Sequence, residues 1–298
     1  MIVMVIYGIA GLFSVLFAAT VIAKLGYAKR HFKMKQLITT ADTLEDLPSV
    51  TVCIPARNEM HAMAECLDKI IASTYPKMEI IVLDDSSEDN TSNLIKAYAH
   101  AGVRFVSGGD LPQGWLGKNY ALNVLASKAS GHYVLFLDVD IRVDKGSVGQ
   151  LVSYMKQEKA SMISVLPRRD DGMRASVIFS SLRYFWELLF HGARKPASSS
   201  SAWMIEAKIF KELGGLEPQK DYIAPEARLA EVLSKEDKYR FIISSSLLGV
   251  SFEKKWRSQM DTSIRLIYPL LSNSLLRIGV SLPASLCLSH LRYSWTYR

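Results

Sequence analysis

The apolar run His132-Tyr133-Val134-Leu135-Phe136-Leu137 ends in Asp138-Val139-Asp140, two carboxylates separated by one residue. In an extended strand, residues i and i+2 face the same side, so both acids leave the strand end together. Oxygen-only donors in this arrangement suit a hard divalent cation that shares its remaining sites with the phosphate oxygens of a ligand. A solvated turn with two capping aspartates has the same local signature, so the surrounding residues must decide. Three further polar clusters follow apolar stretches: Pro55-Ala56-Arg57-Asn58-Glu59, Asp84-Asp85-Ser86-Ser87 and Gly114-Trp115-Leu116-Gly117-Lys118-Asn119. Lys118 follows a glycine and opens an expected helix, where an ammonium and free helix N-terminal amides can meet a diphosphate together.

The elements that must position these groups alternate in type. Strands are expected at Val50–Ile54, Met78–Leu83, Val103–Val106 and Tyr133–Leu137, with helices near 60–73, 88–101, 117–128 and 145–157 between and after them. This alternation predicts an α/β fold with a mainly parallel, doubly wound sheet, whose strand ends converge on one crevice. Beyond Gly214-Gly215 a helix is expected near 225–235 and a strand over 239–250. Arg168-Arg169, after Pro167, reads as a solvated basic turn or a phosphate contact. Tyr184, Phe185 and Trp186 read as core or membrane-facing residues of an apolar helix.

The chain of 298 residues is 49% hydrophobic and 22% charged, with a net charge of +7. That composition excludes a disordered protein. The basic residues form no arginine-rich or aromatic-interleaved face, which argues against a nucleic-acid partner. Cys53, Cys66 and Cys287 have no metal-type spacing and read as reduced thiols. From Met1 to Ala23 no residue is charged. As a helix this run spans roughly 34 Å, enough for a hydrocarbon core of about 30 Å. Lys24, Lys29, Arg30, Lys33 and Lys35 follow it. The positive-inside rule then leaves the rest of the chain in the cytoplasm, held at the cell membrane by a single-pass anchor. The expected division is a transmembrane helix over 1–25, a linker over 26–48, an α/β domain over 49–255 and an amphipathic, membrane-associated helical tail over 256–298.

With its four polar clusters in this order, the sequence resembles the inverting family 2 glycosyltransferases of GT-A fold over roughly residues 49–235. The Gly-Trp-x-Gly-Lys loop is similar to that of membrane-associated members acting on carotenoid acids and hopanoids. The resemblance implies a GT-A, Rossmann-like fold and a nucleotide diphosphate sugar donor, most simply a UDP-sugar. It places Pro55, Glu59, Asp84, Asp85, Lys118 and Asp138 toward the donor and counts Asn119 and Asn123 with them. It makes Asp140 the principal ligand of Mg²⁺ or Mn²⁺, with Asp138 assisting. The family's general base opens a helix after a Gly-Gly turn, and here that position is Glu226, behind Pro225 where the family has an acid. Asp221 is a second candidate, and helix-start stabilisation is the alternative role for Glu226. Trp203 lies where the family lines its acceptor pocket, and core packing is equally compatible. The implied activity is inverting transfer of a sugar to a lipid-like acceptor. The alternatives are a polysaccharide or polyprenyl-phosphate transferase, or a catalytically silent, nucleotide-sugar-binding subunit of a membrane complex.

Overall fold

The computed structural model describes residues 14–24, 26–27, 32, 47–169 and 196–252. The chain divides into two units, and the one formed by Met34–Gly172 and Ala193–Lys255 carries every element named below. In the other unit residues 14–24 are helical, and Val15, Leu16, Phe17 and Ile22 are exposed. Among the described residues no helix is long and apolar enough to cross a membrane. The expected spanning helix therefore lies partly outside the described residues. The tail over 256–298, Cys287 and the apolar segment containing Tyr184, Phe185 and Trp186 lie wholly outside them.

Four parallel strands form one half of the main sheet: β1 (Val50–Ala56), β2 (Met78–Asp84), β3 (Val103–Ser107) and β4 (Tyr133–Leu137). All five residues of β4 are buried and apolar, as a central strand covered on both faces requires. The other half contains β6 (Met162–Leu166), β8 (Ala202–Glu206) and β9 (Tyr239–Ile243), and the full order is β3-β2-β1-β4-β8-β6-β9. Strand β8 runs antiparallel to both β4 and β6, so the sheet is mixed but mainly parallel. A second, three-stranded sheet joins β5 (Ile141–Val143), β10 (Val250–Phe252) and β7 (Arg168–Arg169). The Arg168-Arg169 turn is thus a short strand beside β10.

Alternation within the strands sorts side chains onto two faces. Val50, Val52, Ile54, Leu135 and Leu137 join one core with Met63, Cys66, Leu67 and Ile70 of α1 (Met60–Ile71) and Val148, Leu151, Val152 and Met155 of α4 (Ser147–Glu158). In α1 the apolar positions recur three and four apart, the stripe that buries one helix face. Helix α2 (Thr91–Ala97) is shorter than the expected 88–101. Asp89 accepts from the amide and hydroxyl of Thr91 to fix its start, and a 3-10 turn (Tyr98–Ala101) finishes it. Helix α3 (Gly117–Lys128) covers the opposite face of β1. On that face Phe136 and Trp203, register partners on β4 and β8, stack with ring centroids 4.1 Å apart, and Phe210 of α5 (Ala207–Glu212) packs on both.

The expected strand over 239–250 is two strands in two sheets. Between them Gly249 adopts φ +67 with its backbone against the Asp144 side chain, where any Cβ would collide. Its carbonyl accepts from the Asp144 amide at 2.9 Å, and this turn carries the chain from β9 to β10.

Candidate active site

The chain order β1-β2-β3 builds outward in one direction, and β4 then returns to the other side of β1. Such a reversal leaves a crevice beyond the carboxyl ends of the two diverging strands. The β1–β2 ladder runs through Ala56, whereas the β1–β4 ladder stops at Cys53 and Phe136. Pro55 has no N–H with which to extend it.

Charged groups of alternating sign line this crevice. Arg57, just past β1, lies 3.6 Å from the Asp85 carboxylate, just past β2. Asp85 sits over the first turn of α3, with one carboxylate oxygen 3.4 Å from where a Cβ of Gly117 would stand. The next residue, Lys118, meets Asp138 at the end of β4 at 2.5 Å. Alternation explains that meeting, because Asp138 follows Leu137 on the opposite face of the strand, the face α3 covers. Gly108 closes the crevice behind Asp85: its amide donates to the Asp84 carbonyl at 2.7 Å, and a Cβ there would stand 2.8 Å from that oxygen. Asp140 is half-buried, two residues beyond Asp138.

Other residues keep these groups in place. Glu59 closes the start of α1, and its amide donates to Thr91 Oγ1 at 2.9 Å, tying the loop after β1 to the one after β2. Asn58, at φ +55, adds a second tie through its Oδ1 to the Glu88 amide at 2.8 Å. Asp84 is buried and accepts from the hydroxyls of Ser87 at 2.5 Å and Ser92 at 2.8 Å, so it organises its own loop. Arg142, which sequence reasoning passed over, donates to the Val139 carbonyl at 2.8 Å and to Glu65 at 3.1 Å, bracing the turn between the two aspartates. The available signal was a basic residue between Ile141 and Val143, since a charge inside an apolar strand needs partners when buried.

Glu226 is buried in the first turn of α6 (Pro225–Lys235), behind Pro225 at the first helical position. Asp221 is exposed in the preceding loop. Asn119 is buried, and its side-chain amide donates to the carbonyls of Lys220 at 3.0 Å and Tyr222 at 2.8 Å. Asn123 accepts from the Leu216 amide at 3.0 Å. Both asparagines therefore hold the chain ahead of α6. Trp203 requires a further correction: it is wholly buried, sealed between Phe136 and Phe210, and so belongs to the core and not to an acceptor surface. The described cysteines, Cys53 and Cys66, are buried free thiols, and burial pushes Cys66 up to about 12, which leaves no thiolate for chemistry at neutral pH. Among the described residues no group of three or more His, Cys, Asp or Glu could hold a metal ion.

A crevice at a strand reversal, with a lysine at a helix start opposite an Asp-x-Asp turn, places this chain in the class of open α/β proteins that hold a ligand at the carboxyl ends of their strands. Residues 51–213, more than half of the chain, match Glycosyl transferase family 2, and the chain belongs to that family. Over 125 residues it is 30% identical to the 4,4'-diaponeurosporenoate glycosyltransferase of Staphylococcus haemolyticus, covering 41% of this chain and 33% of that protein. Over 127 residues it is 32% identical to the poly-beta-1,6-N-acetyl-D-glucosamine synthase of Staphylococcus aureus, covering 42% of this chain and 30% of that one. The matched segment thus spans about a third of the length of these curated relatives. The fold is similar to that of a mannosyltransferase from Pyrobaculum calidifontis in complex with GDP-Man and Mn²⁺, with TM-score 0.61 and 22% identity, covering 93% of this chain and 83% of that one. It is also similar to glucosyl-3-phosphoglycerate synthase from Mycobacterium tuberculosis, with TM-score 0.51 and 20% identity, covering 81% and 87%. These likenesses establish a GT-A-like fold.

Proposed function

We propose that the chain is a membrane-anchored inverting glycosyltransferase that moves a sugar from a nucleotide diphosphate sugar, most simply a UDP-sugar, to a lipid-like acceptor. The observation that carries this reading is the Lys118–Asp138 pair at the start of α3, with Asp85 and Arg57 beside it. Lys118 and the free amides of the first α3 turn bind and orient the diphosphate. Pro55, Glu59 and Asp85 border the crevice where base and ribose would lie. Asp140, with Asp138 beside it, would hold Mg²⁺ or Mn²⁺, which when bound supplies positive charge against the leaving diphosphate. Two carboxylates fit this role because such ions take their other ligands from phosphate oxygens and water. Glu226 accepts the proton of the acceptor hydroxyl during in-line attack.

The acceptor class draws support from Leu111, Leu116, Tyr222 and Ile223, all exposed on the two loops that the Leu116 amide joins to the Lys220 carbonyl at 3.0 Å. An uncharged run ahead of Lys24, followed by basic residues, supports a cytoplasmic catalytic domain held at the membrane. That anchor would present a lipid acceptor at high effective concentration. The burial of Glu226, 2% exposed, favours a second reading, a silent donor-binding subunit of a membrane complex.

Transfer from radiolabelled UDP-sugars into extracted membrane lipid, with Mn²⁺ or with EDTA, tests both. Metal-dependent label in lipid, abolished by Glu226→Gln while UDP still binds, is the expected result. Donor binding with no transfer to any lipid or polysaccharide acceptor would establish the silent reading, and a chain that binds no UDP would refute both.

A further inference from the structure

The helix that carries Lys118 is tied to the loop that leads into Glu226 by side chains that no donor needs to touch. The buried stripe of α3 is Asn119, Ala121, Leu122, Leu125 and Ala126, apolar except for its first member. A buried amide in such a stripe is costly unless its hydrogen bonds are made. The Asn119 amide makes them to the backbone, at 3.0 Å to the Lys220 carbonyl and 2.8 Å to that of Tyr222, with Gln219 further off at 3.4 Å. One helical turn on, Asn123 Oδ1 takes the Leu216 amide at 3.0 Å. Gly215, at φ +62, approaches so closely that a Cβ would stand 2.7 Å from that same oxygen. Inside the loop, Gln219 is buried and donates to the Gly215 carbonyl at 3.0 Å, and at its edge the Leu116 amide donates to Lys220. From Gly215 to Tyr222 the backbone is thus gripped at both ends by one face of α3. Glu226 follows four residues later.

We infer that Asn119 and Asn123 are positioning residues that fix Glu226 relative to Lys118, so that the group meeting the diphosphate and the group receiving the acceptor proton are held as one piece. This rests on the functional reading of Lys118 and Glu226 given above. A near-attack geometry is lost by displacements of about an ångström, so loosening the loop lowers turnover without weakening the donor's own contacts. A residue that contacted the donor would instead raise KM for it.

Four substitutions in the full chain separate these possibilities. Asn119→Asp replaces the donating amide with an acceptor facing two carbonyls, and Asn123→Leu removes the oxygen that Leu216 needs. Asn123→Asp keeps that oxygen, and Gly215→Ala pushes the clamp open from the loop side should a polar change prevent folding. Amide hydrogen exchange across 215–224 is expected to quicken by at least about tenfold in Asn119→Asp, Asn123→Leu and Gly215→Ala, while protection of β1 and β4 stays intact. Exchange in Asn123→Asp is expected to match the wild type. In transfer assays kcat is expected to fall about 30- to 100-fold in Asn119→Asp, Asn123→Leu and Gly215→Ala, with KM for the UDP-sugar within about threefold and Asn123→Asp near normal. Unchanged exchange in the loop would overturn the clamp, and a rise in KM with kcat preserved would overturn the positioning role. If the wild type transfers no sugar, the functional reading falls, and the exchange measurement alone still decides whether the asparagines hold the loop.

Discussion

Replacing Lys118 by Met removes one charge from the crevice and little else. Its ammonium lies 2.5 Å from Asp138, with the lysine side chain 44% and the aspartate 23% exposed. Ion pairs this open to water contribute about 0–1 kcal/mol to folding, and Met matches Lys in helix propensity, so stability should change by less than about 1 kcal/mol. Binding is affected differently. A charge-assisted hydrogen bond to a diphosphate is worth about 1.5–3 kcal/mol, equivalent to a roughly 10- to 150-fold change in affinity. The wild-type ammonium must first leave Asp138, which offsets up to about 1 kcal/mol of that gain and lowers the expected loss of UDP affinity to about 2- to 30-fold at full offset. Calorimetric titration of UDP in the presence of Mn²⁺ reads the affinity, and urea denaturation reads the stability. A Lys118→Met chain that binds UDP within twofold of the wild type would refute the placement of the diphosphate at the start of α3. A stability loss of several kcal/mol would show that the lysine serves the fold instead.

Arg142→Met should cost about 2–4 kcal/mol in urea denaturation, because it strips charged donors from the buried Val139 carbonyl. The upper bound for a broken buried pair does not apply, since Glu65 is half exposed and rehydrates; a loss under about 0.5 kcal/mol would contradict the bracing role. Trp203→Ala should cost about 3–5 kcal/mol by leaving a cavity against Phe136, while Trp203→Phe should keep the wild-type KM for acceptor; a raised KM in that variant would return Trp203 to the acceptor surface. Glu79 is held below the usual carboxylate range: its burial, which alone raises the value, is outweighed by hydrogen bonds from Thr51 and Ser130 and by Arg104. A carboxyl depressed in the folded state adds stability above its unfolded pKa and loses it as pH falls through the folded value. The stability gap between wild type and Glu79→Gln should therefore be present at pH 7 and shrink as the medium becomes more acid than the ordinary carboxylate range, and a gap independent of pH would disprove it.

Sequence alone determined the parts of this protein whose chemistry is local. Strand β4 could be read because five consecutive apolar residues between turn signals have few other solutions, and α1 because its buried positions recur three and four apart. The positions of Lys118 at a helix start and of Asp138 just past a strand end could be read because those element boundaries carry local signals. Tertiary structure alone decided which neighbours those groups have. Asn119 reaches carbonyls up to 103 positions away, and Arg142 reaches Glu65, 77 positions away. Trp203 looked like an acceptor platform by position but packs as core, because β8 enters the sheet antiparallel beside β4 and turns the indole onto Phe136. The strand expected over 239–250 divides because Gly249 must pass against Asp144, just past β5 of the second sheet. Periodicity specifies which face of an element is buried; what lies against that face is set by packing between segments far apart in the chain.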